Sequence, residues 1–240
     1  RTVDKVKPPF PLNRFPKDFG KKIGREIIYI LATKSPPDVA GSEWEQIFAN
    51  CINATWKPSN IGLDDVVLEN CAWSAKSVYN AKPDKVLRVR LISGRNSPKY
   101  SFGELDFEKK PDYIGEEILS IWNERVSSLR KVYKHLRTVV LIKARDLLTL
   151  GVFEFETVRY DPELYAWSWN ENDNLEGFEK ATNIHCFTWQ PHGSQFTIIE
   201  PVPNDCLLIK LKMPDRLDKD AVLQAIGFED GWITVSKRAV

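Results

Sequence analysis

Trp44, Ile47, Phe48 and Cys51 recur at intervals of three and four, the repeat of an amphipathic helix, and Ser42 followed by Glu45 has the form of a capping serine with a glutamate three positions on. The pattern predicts a helix over about 42–54. The period then shortens. Residues 66–68, 72–79 and 86–92 are short runs rich in β-branched and aromatic side chains, parted by Asn70 and by Lys82-Pro83-Asp84, and they read as a three-stranded antiparallel meander. Over 115–136, Ile118, Ile121, Trp122, Val126, Leu129, Val132, Tyr133 and Leu136 form the stripe of a long helix with a charged outer face. Residues 138–144 (TVVLIKA) are nearly all apolar, as in a strand buried on both faces of a sheet. The order of elements is α-β-β-β-α-β.

The flanks differ from this centre. Pro8, Pro9, Pro11, Pro16, Pro36 and Pro37 punctuate the first forty residues, which predicts an extended proline-rich arm over 1–40 with one short apolar element at 27–32. Such an arm can wrap a partner or lie on its own body, and the sequence leaves both open. Beyond Gly151 the runs at 152–160, 165–169, 187–189, 195–199 and 206–212 alternate and are rich in aromatics, and a short helix near 219–226 closes the chain. The expected organisation is an arm at 1–40, a core at 41–150 and a β-rich region at 151–240, without internal repeats.

With 240 residues, 42% hydrophobic and 28% charged, the chain can bury a large core, which sets disorder aside. No apolar run approaches the roughly 20 residues of a membrane span, and Arg1–Lys7 lacks the apolar centre of a secretory signal, so a soluble, intracellular protein is expected. Cys51, Cys71, Cys186 and Cys206 are widely spaced and read as buried apolar groups rather than as zinc ligands or disulfides. A net charge of +1 does not advertise a polyanion partner, so any such contact must come from local clusters. Lys131, Lys134 and Arg137 form one candidate cluster, and Lys85, Arg88, Arg90 and Arg95 another. His135, His185 and His192 have no metal-protease spacing, and there is no GxSxG, Walker or GxGxxG motif, so no nucleotide cofactor is expected.

Asp64 and Asp65 open one predicted strand, and Lys76 lies on the next, eleven positions after Asp65. A hairpin of that length can bring carboxylate and ammonium together. Phosphodiester hydrolysis uses this pair, the carboxylate to hold a hard divalent cation and the ammonium to orient water or offset developing negative charge.

Asp65, then Ser74-Ala75-Lys76, within the α-β-β-β-α-β order over about Ser42 to Arg145, resembles the PD-(D/E)XK nuclease superfamily, particularly type II restriction endonucleases. Ser74 departs from the pattern, because the family usually has its second carboxylate there. Some members recover that charge from the preceding helix, where Glu45 is the first candidate and Glu43 the fallback; Glu69 is less favoured because it falls in a turn. The resemblance implies an α/β fold with a restriction-endonuclease-like mixed sheet flanked by helices and extended by the β-rich C-terminal half. It implies a type II site-specific deoxyribonuclease that cuts double-stranded DNA, with Mg2+ held by Asp65 and Glu45 and with Lys76 as the third catalytic residue. A homodimer and a cytoplasmic, prokaryotic setting go with it.

Ser93, Arg95 and Asn96 follow the third strand and are candidate DNA contacts, at phosphates. Gln190, His192 and Gln195, with Arg159 and Asn170, are candidates for base recognition, since glutamine matches adenine through paired hydrogen bonds. The competing reading is a non-catalytic nucleic-acid-binding or adaptor protein in which Asp65 and Lys76 form an ordinary cross-strand ion pair.

Overall fold

The computed structural model describes residues 6–57, 63–102 and 110–238. Where an extended arm is expected, the chain forms a helix, α1 (Phe19–Thr33), with Phe19, Ile23, Ile27, Ile30 and Leu31 buried along one side. The prolines bracket this segment without interrupting it, and the three-and-four spacing of its apolar residues then decides the structure. Residues 6–18 lie on the chain's own body. Phe10 and Phe15 pack against the core, the Phe10 carbonyl accepts from Arg137 Nη1 at 3.0 Å, and Asn13 exchanges hydrogen bonds of 3.0 and 2.7 Å with Glu154.

The second helix, α2 (Gly41–Ile52), is capped two residues earlier than its serine suggests. Its N-cap is Ala40, whose N–H donates to Glu43 Oε2 at 2.7 Å, so Glu43 does the capping and Glu45 is left free of it. The helix ends at Asn53, which takes the left-handed conformation (φ 55°) that asparagine tolerates.

Two sheets follow. The strands are β1 (Thr55–Trp56), β2 (Val66–Leu68), β3 (Cys71–Tyr79), β4 (Arg88–Arg95), β5 (His135–Lys143), β6 (Thr149–Glu156), β7 (Tyr165–Trp169), β8 (Leu175–Glu179), β9 (His185–Gln190), β10 (Gln195–Pro201) and β11 (Leu207–Lys210). The remaining helices are α3 (Pro98–Phe102), α4 (Pro111–Arg130) and α5 (Lys219–Ala225). The first sheet has the order β1-β2-β3-β5-β6-β11, antiparallel except for the parallel β3–β5 pair; the second has the order β4-β10-β9-β8-β7 and is antiparallel throughout.

The fold class is therefore mixed α/β, and from α2 to β5 the α-β-β-β-α-β order is kept apart from the added short β1 and α3. The expected meander is not. β2 and β3 form a hairpin, but β4 leaves to pair with β10. Its residues explain why: Val89 and Leu91 are buried while Arg88, Arg90 and Ile92 are exposed, a pattern that suits a half-solvated sheet. The place beside β3 goes to β5, which is buried on both faces. The two sheets draw on both sides of residue 150: β6 and β11 return to the first sheet while β4 joins the second.

One face of the first sheet is covered by α1 and α2, with Trp44, Ile47 and Phe48 against Trp73, Ala75, Val139 and Leu141. The other face meets α4 and the inner face of the second sheet, where Ala72 and Leu136 join Ile118, Trp122, Phe187, Trp189 and Phe196. The long helix is thus held between two sheets. It ends at Arg130, six residues earlier than expected, because Leu136 belongs to β5. Arg137 is corrected as a surface cation: it is buried and paired with Glu154 at 2.8 Å and Glu156 at 3.3 Å. No helix among the described residues is long and apolar enough to cross a membrane.

Gly115 of α4 lies directly under the indole of Trp167, which also crowds Gly177, so a Cβ at 115 has no room. Gly115→Ala is expected to lose about 1–3 kcal/mol through overpacking despite the better helix propensity of alanine. Gly41→Ala, whose added Cβ meets nothing within 4 Å, should change little. Urea unfolding of the two variants checks the contrast, and equal effects would contradict the wedge.

Candidate active site

The β2–β3 hairpin and α2 bring three of the sequence candidates together. Asp65 stands just before β2, almost fully buried, and its Oδ2 accepts the Ala75 N–H of β3 at 3.1 Å. Its backbone carbonyl accepts from Lys57 at 2.8 Å, which ties it to the end of β1. Lys76 is the next residue along β3, paired there with Val140 of β5. Glu45 projects from α2, half-buried, and the Trp56 indole N–H donates to its Oε2 at 3.0 Å.

The electrostatics join the three. Burial pushes the Asp65 carboxyl up to about 6; Lys76 and the Ala75 N–H pull it down, while Glu45 and Asp64 raise it further. Burial lowers the pKa of Lys76 from its usual value, against the attraction of Asp65 and Glu45. Asp65 and Lys76 feel each other, yet no salt bridge joins them among the described residues, where the ion pairs are Lys34–Glu43, Lys57–Asp64, Arg137 with Glu154 and Glu156, and Lys143–Asp38.

The neighbouring acids are occupied elsewhere. Asp64 is bonded to Lys57 Nζ at 2.7 Å, and Glu43 caps α2 and pairs with Lys34 at 2.9 Å. Glu69 is exposed in the tight β2–β3 turn with φ 54°. Of the three glutamates left open by the sequence, only Glu45 acts electrostatically on both Asp65 and Lys76. Ser74 is buried on β3 opposite Thr138 of β5. Trp56, which orients Glu45, has no sequence signal, because a two-residue strand leaves no periodicity.

Among the described residues no three His, Cys, Asp or Glu side chains converge on a metal position. Magnesium does not require three, since it is held by one or two carboxylates with phosphate oxygens and water completing its shell. A desolvated carboxylate pushed upward by two neighbouring negative charges fits a hard cation, and Asp65 with Glu45 would hold it.

The DNA candidates separate into two groups. Ser93 and Asn96 are corrected as phosphate contacts: Ser93 is buried with its hydroxyl donating to the Leu91 carbonyl, and Asn96 is fully buried with its Nδ2 donating to the Ile118 carbonyl at 3.0 Å. Asn170 is likewise spent, accepting from Asn172 and Asn174 and donating to Glu176 in its own turn. Arg95, Gln190 and His192 are exposed and Gln195 half-buried, and the β4–β10–β9 pairing brings the 93–97 and 190–195 segments side by side. Arg159 is exposed but lies after β6, beside Tyr160, whose backbone is bonded to Asn123 of α4. No family model, curated protein or solved structure matches the chain.

The sign of the Asp65 shift makes a stability prediction. A carboxyl raised from 3.8 to about 6 favours the fold when protonated, so that contribution is complete below pH 3.8 and is lost as pH rises through 6. The loss reaches about 3 kcal/mol. Asp65→Asn does not ionise, so its unfolding free energy relative to wild type should climb between pH 4 and pH 7 by up to that amount. Parallel stability curves over this range would show that Asp65 is not desolvated.

Proposed function

We propose that this chain is a Mg2+-dependent endonuclease that hydrolyses phosphodiester bonds of double-stranded DNA at a specific sequence, as the resemblance to type II restriction enzymes suggests. The observation that carries the reading is that Asp65 and the partly desolvated Lys76 share one hairpin, with Glu45 on the adjoining helix acting on both charges, and that Asp65 and Lys76 are not closed into an ion pair. A purely structural cross-strand pair would be expected to close, and this disfavours the adaptor reading.

A divalent cation held there supplies charge neutralisation at the phosphate and makes water a stronger acid. Asp65 and Glu45 would be its protein ligands. The Ala75 N–H fixes one Asp65 oxygen and the Trp56 N–H fixes one Glu45 oxygen, so each carboxylate is oriented before substrate arrives. Lys76, on a rigid strand, orients the attacking water and offsets the charge building on the phosphate oxygens. Its lowered pKa also eases transfer of a proton from the ammonium. Two strands of a palindromic site are cut most simply by a two-fold dimer, so a homodimer belongs to the proposal.

Incubation with a long, varied duplex should give discrete fragments with Mg2+ and none with EDTA. Asp65→Ala, Lys76→Ala and Glu45→Ala should each slow cutting by about a hundredfold or more. Glu43→Ala should cut normally while losing about 1 kcal/mol of stability with its cap. Duplex that stays intact over a range of metals and salt, or a Lys76→Ala variant that cuts like wild type, would sink the reading.

A further inference from the structure

Three strands of the second sheet each place one polar side chain in line. Gln195 of β10 stands opposite Arg95 of β4 on one side and Gln190 of β9 on the other. Residues directly opposite in antiparallel strands share a face, so the three form a row with neighbours about 5 Å apart. The face is the outer one, because the adjacent row of Gly94, Phe196 and Trp189 turns inward, with Phe196 and Trp189 in the core.

These three side chains have no hydrogen-bond partner among the described residues, whereas other polar groups around them are spent. Arg88 donates to the His185 and Ile199 carbonyls, Arg90 donates to Thr188 Oγ1 at 2.8 Å, and Glu176, the carboxylate on the same face, is held by Asn170 at 2.8 Å. The backbone beneath the row is held firmly. Asn96 N–H donates to the Ser194 carbonyl at 2.8 Å, Trp189 Nε1 donates to the Asn96 carbonyl at 2.7 Å, and Arg125 donates to the Arg95 carbonyl.

We infer that the Arg95–Gln195–Gln190 row reads base edges in the major groove of duplex DNA, Arg95 at a guanine and the two glutamines at adenines of adjoining base pairs. The inference rests on the DNA reading above and adds the recognition element to it. A guanidinium fork donates twice, matching guanine O6 and N7, while a carboxamide both donates and accepts, matching adenine N6 and N7. Strands can enter the major groove as helices do, and a row on the sheet face is more rigid than the 190–195 turn from which two of its members come. Ser93 and Asn96 act beneath the row as supports, and His192 lies exposed in the adjoining turn.

The test selects duplexes from a randomised pool in EDTA, using Asp65→Asn as the parent so that cutting plays no part. The parent should select a motif containing a guanine next to an adenine. Adding Arg95→Ala or Arg95→Lys should erase the preference at that guanine, a loss of roughly tenfold or more in discrimination, with Arg95→Lys keeping the parent's overall affinity and salt dependence. Adding Gln195→Ala should erase the preference at the neighbouring adenine. Matching thermal melts would establish that the variants fold. If Arg95→Ala weakens all sequences alike, the residue is a phosphate contact and the inference falls; it falls also if the parent selects nothing. Sequence selection by a wild-type protein that never cuts would leave the row standing and remove only the nuclease reading.

Discussion

The parallel pairing of β3 with β5, continuous from Cys71–His135 to Tyr79–Lys143, is the constraint from which the other placements follow. A parallel pair cannot be closed by a hairpin, so the chain between the two strands must cross over a face of the sheet, and α4 does this. With α2 on the opposite face, β3 is enclosed on both sides, and only a strand as apolar as β5 can lie beside it. β4, with a charged or exposed residue at every second position, is turned away and becomes the edge of a second sheet whose inner face covers α4. One sheet therefore carries the Asp65–Lys76 hairpin, and the other offers a polar outer face.

Two groups of buried charge in the first sheet show how differently a fold can treat the same cost. Arg137 is taken out of water but meets Glu154, Glu156 and the Phe10 carbonyl, and Glu154 in turn accepts from Trp73 and Asn13. That network is complete, and it joins the N-terminal segment to β5 and β6. Asp65 and Lys76 are desolvated without closing on each other, and each is pushed toward its neutral form. Folding gains nothing from leaving a pair in that state. A site that must receive a cation and a phosphate gains a great deal, because the groups are oriented in advance and the ligand relieves the penalty.

Much of this was legible in the residues. The stripe of Trp44, Ile47, Phe48 and Cys51 locates α2, and the apolar run at 138–144 locates the centre of the sheet. The spacing from Asp65 to Lys76 matches the hairpin that joins them. What escaped depends on competition between segments. The same β-like composition describes β3 and β4, and only the claim of β5 on the edge of β3 separates them. α1 was hidden by prolines that flank it, although Ile23, Ile27 and Ile30 keep helical spacing. Asn96 and Ser93 looked like surface groups because a polar residue gives no sign of the carbonyl it will meet.

In the proposed site, the choice of Glu45 over an acid at position 74 agrees with the same burial. Position 74 lies on β3 opposite Thr138 of β5 and is 1% exposed, so an acid there would be a further buried anion near Asp65. Each added anion in such a space raises the cost of ionising the others. Glu45 reaches the same site from the flank of α2, half-buried and bonded to Trp56, and so brings its charge from a position that water still touches. The shift of the helix cap from Ser42 to Ala40 makes this possible. It commits Glu43 to the backbone and to Lys34 and leaves Glu45, two residues further on, to face the hairpin.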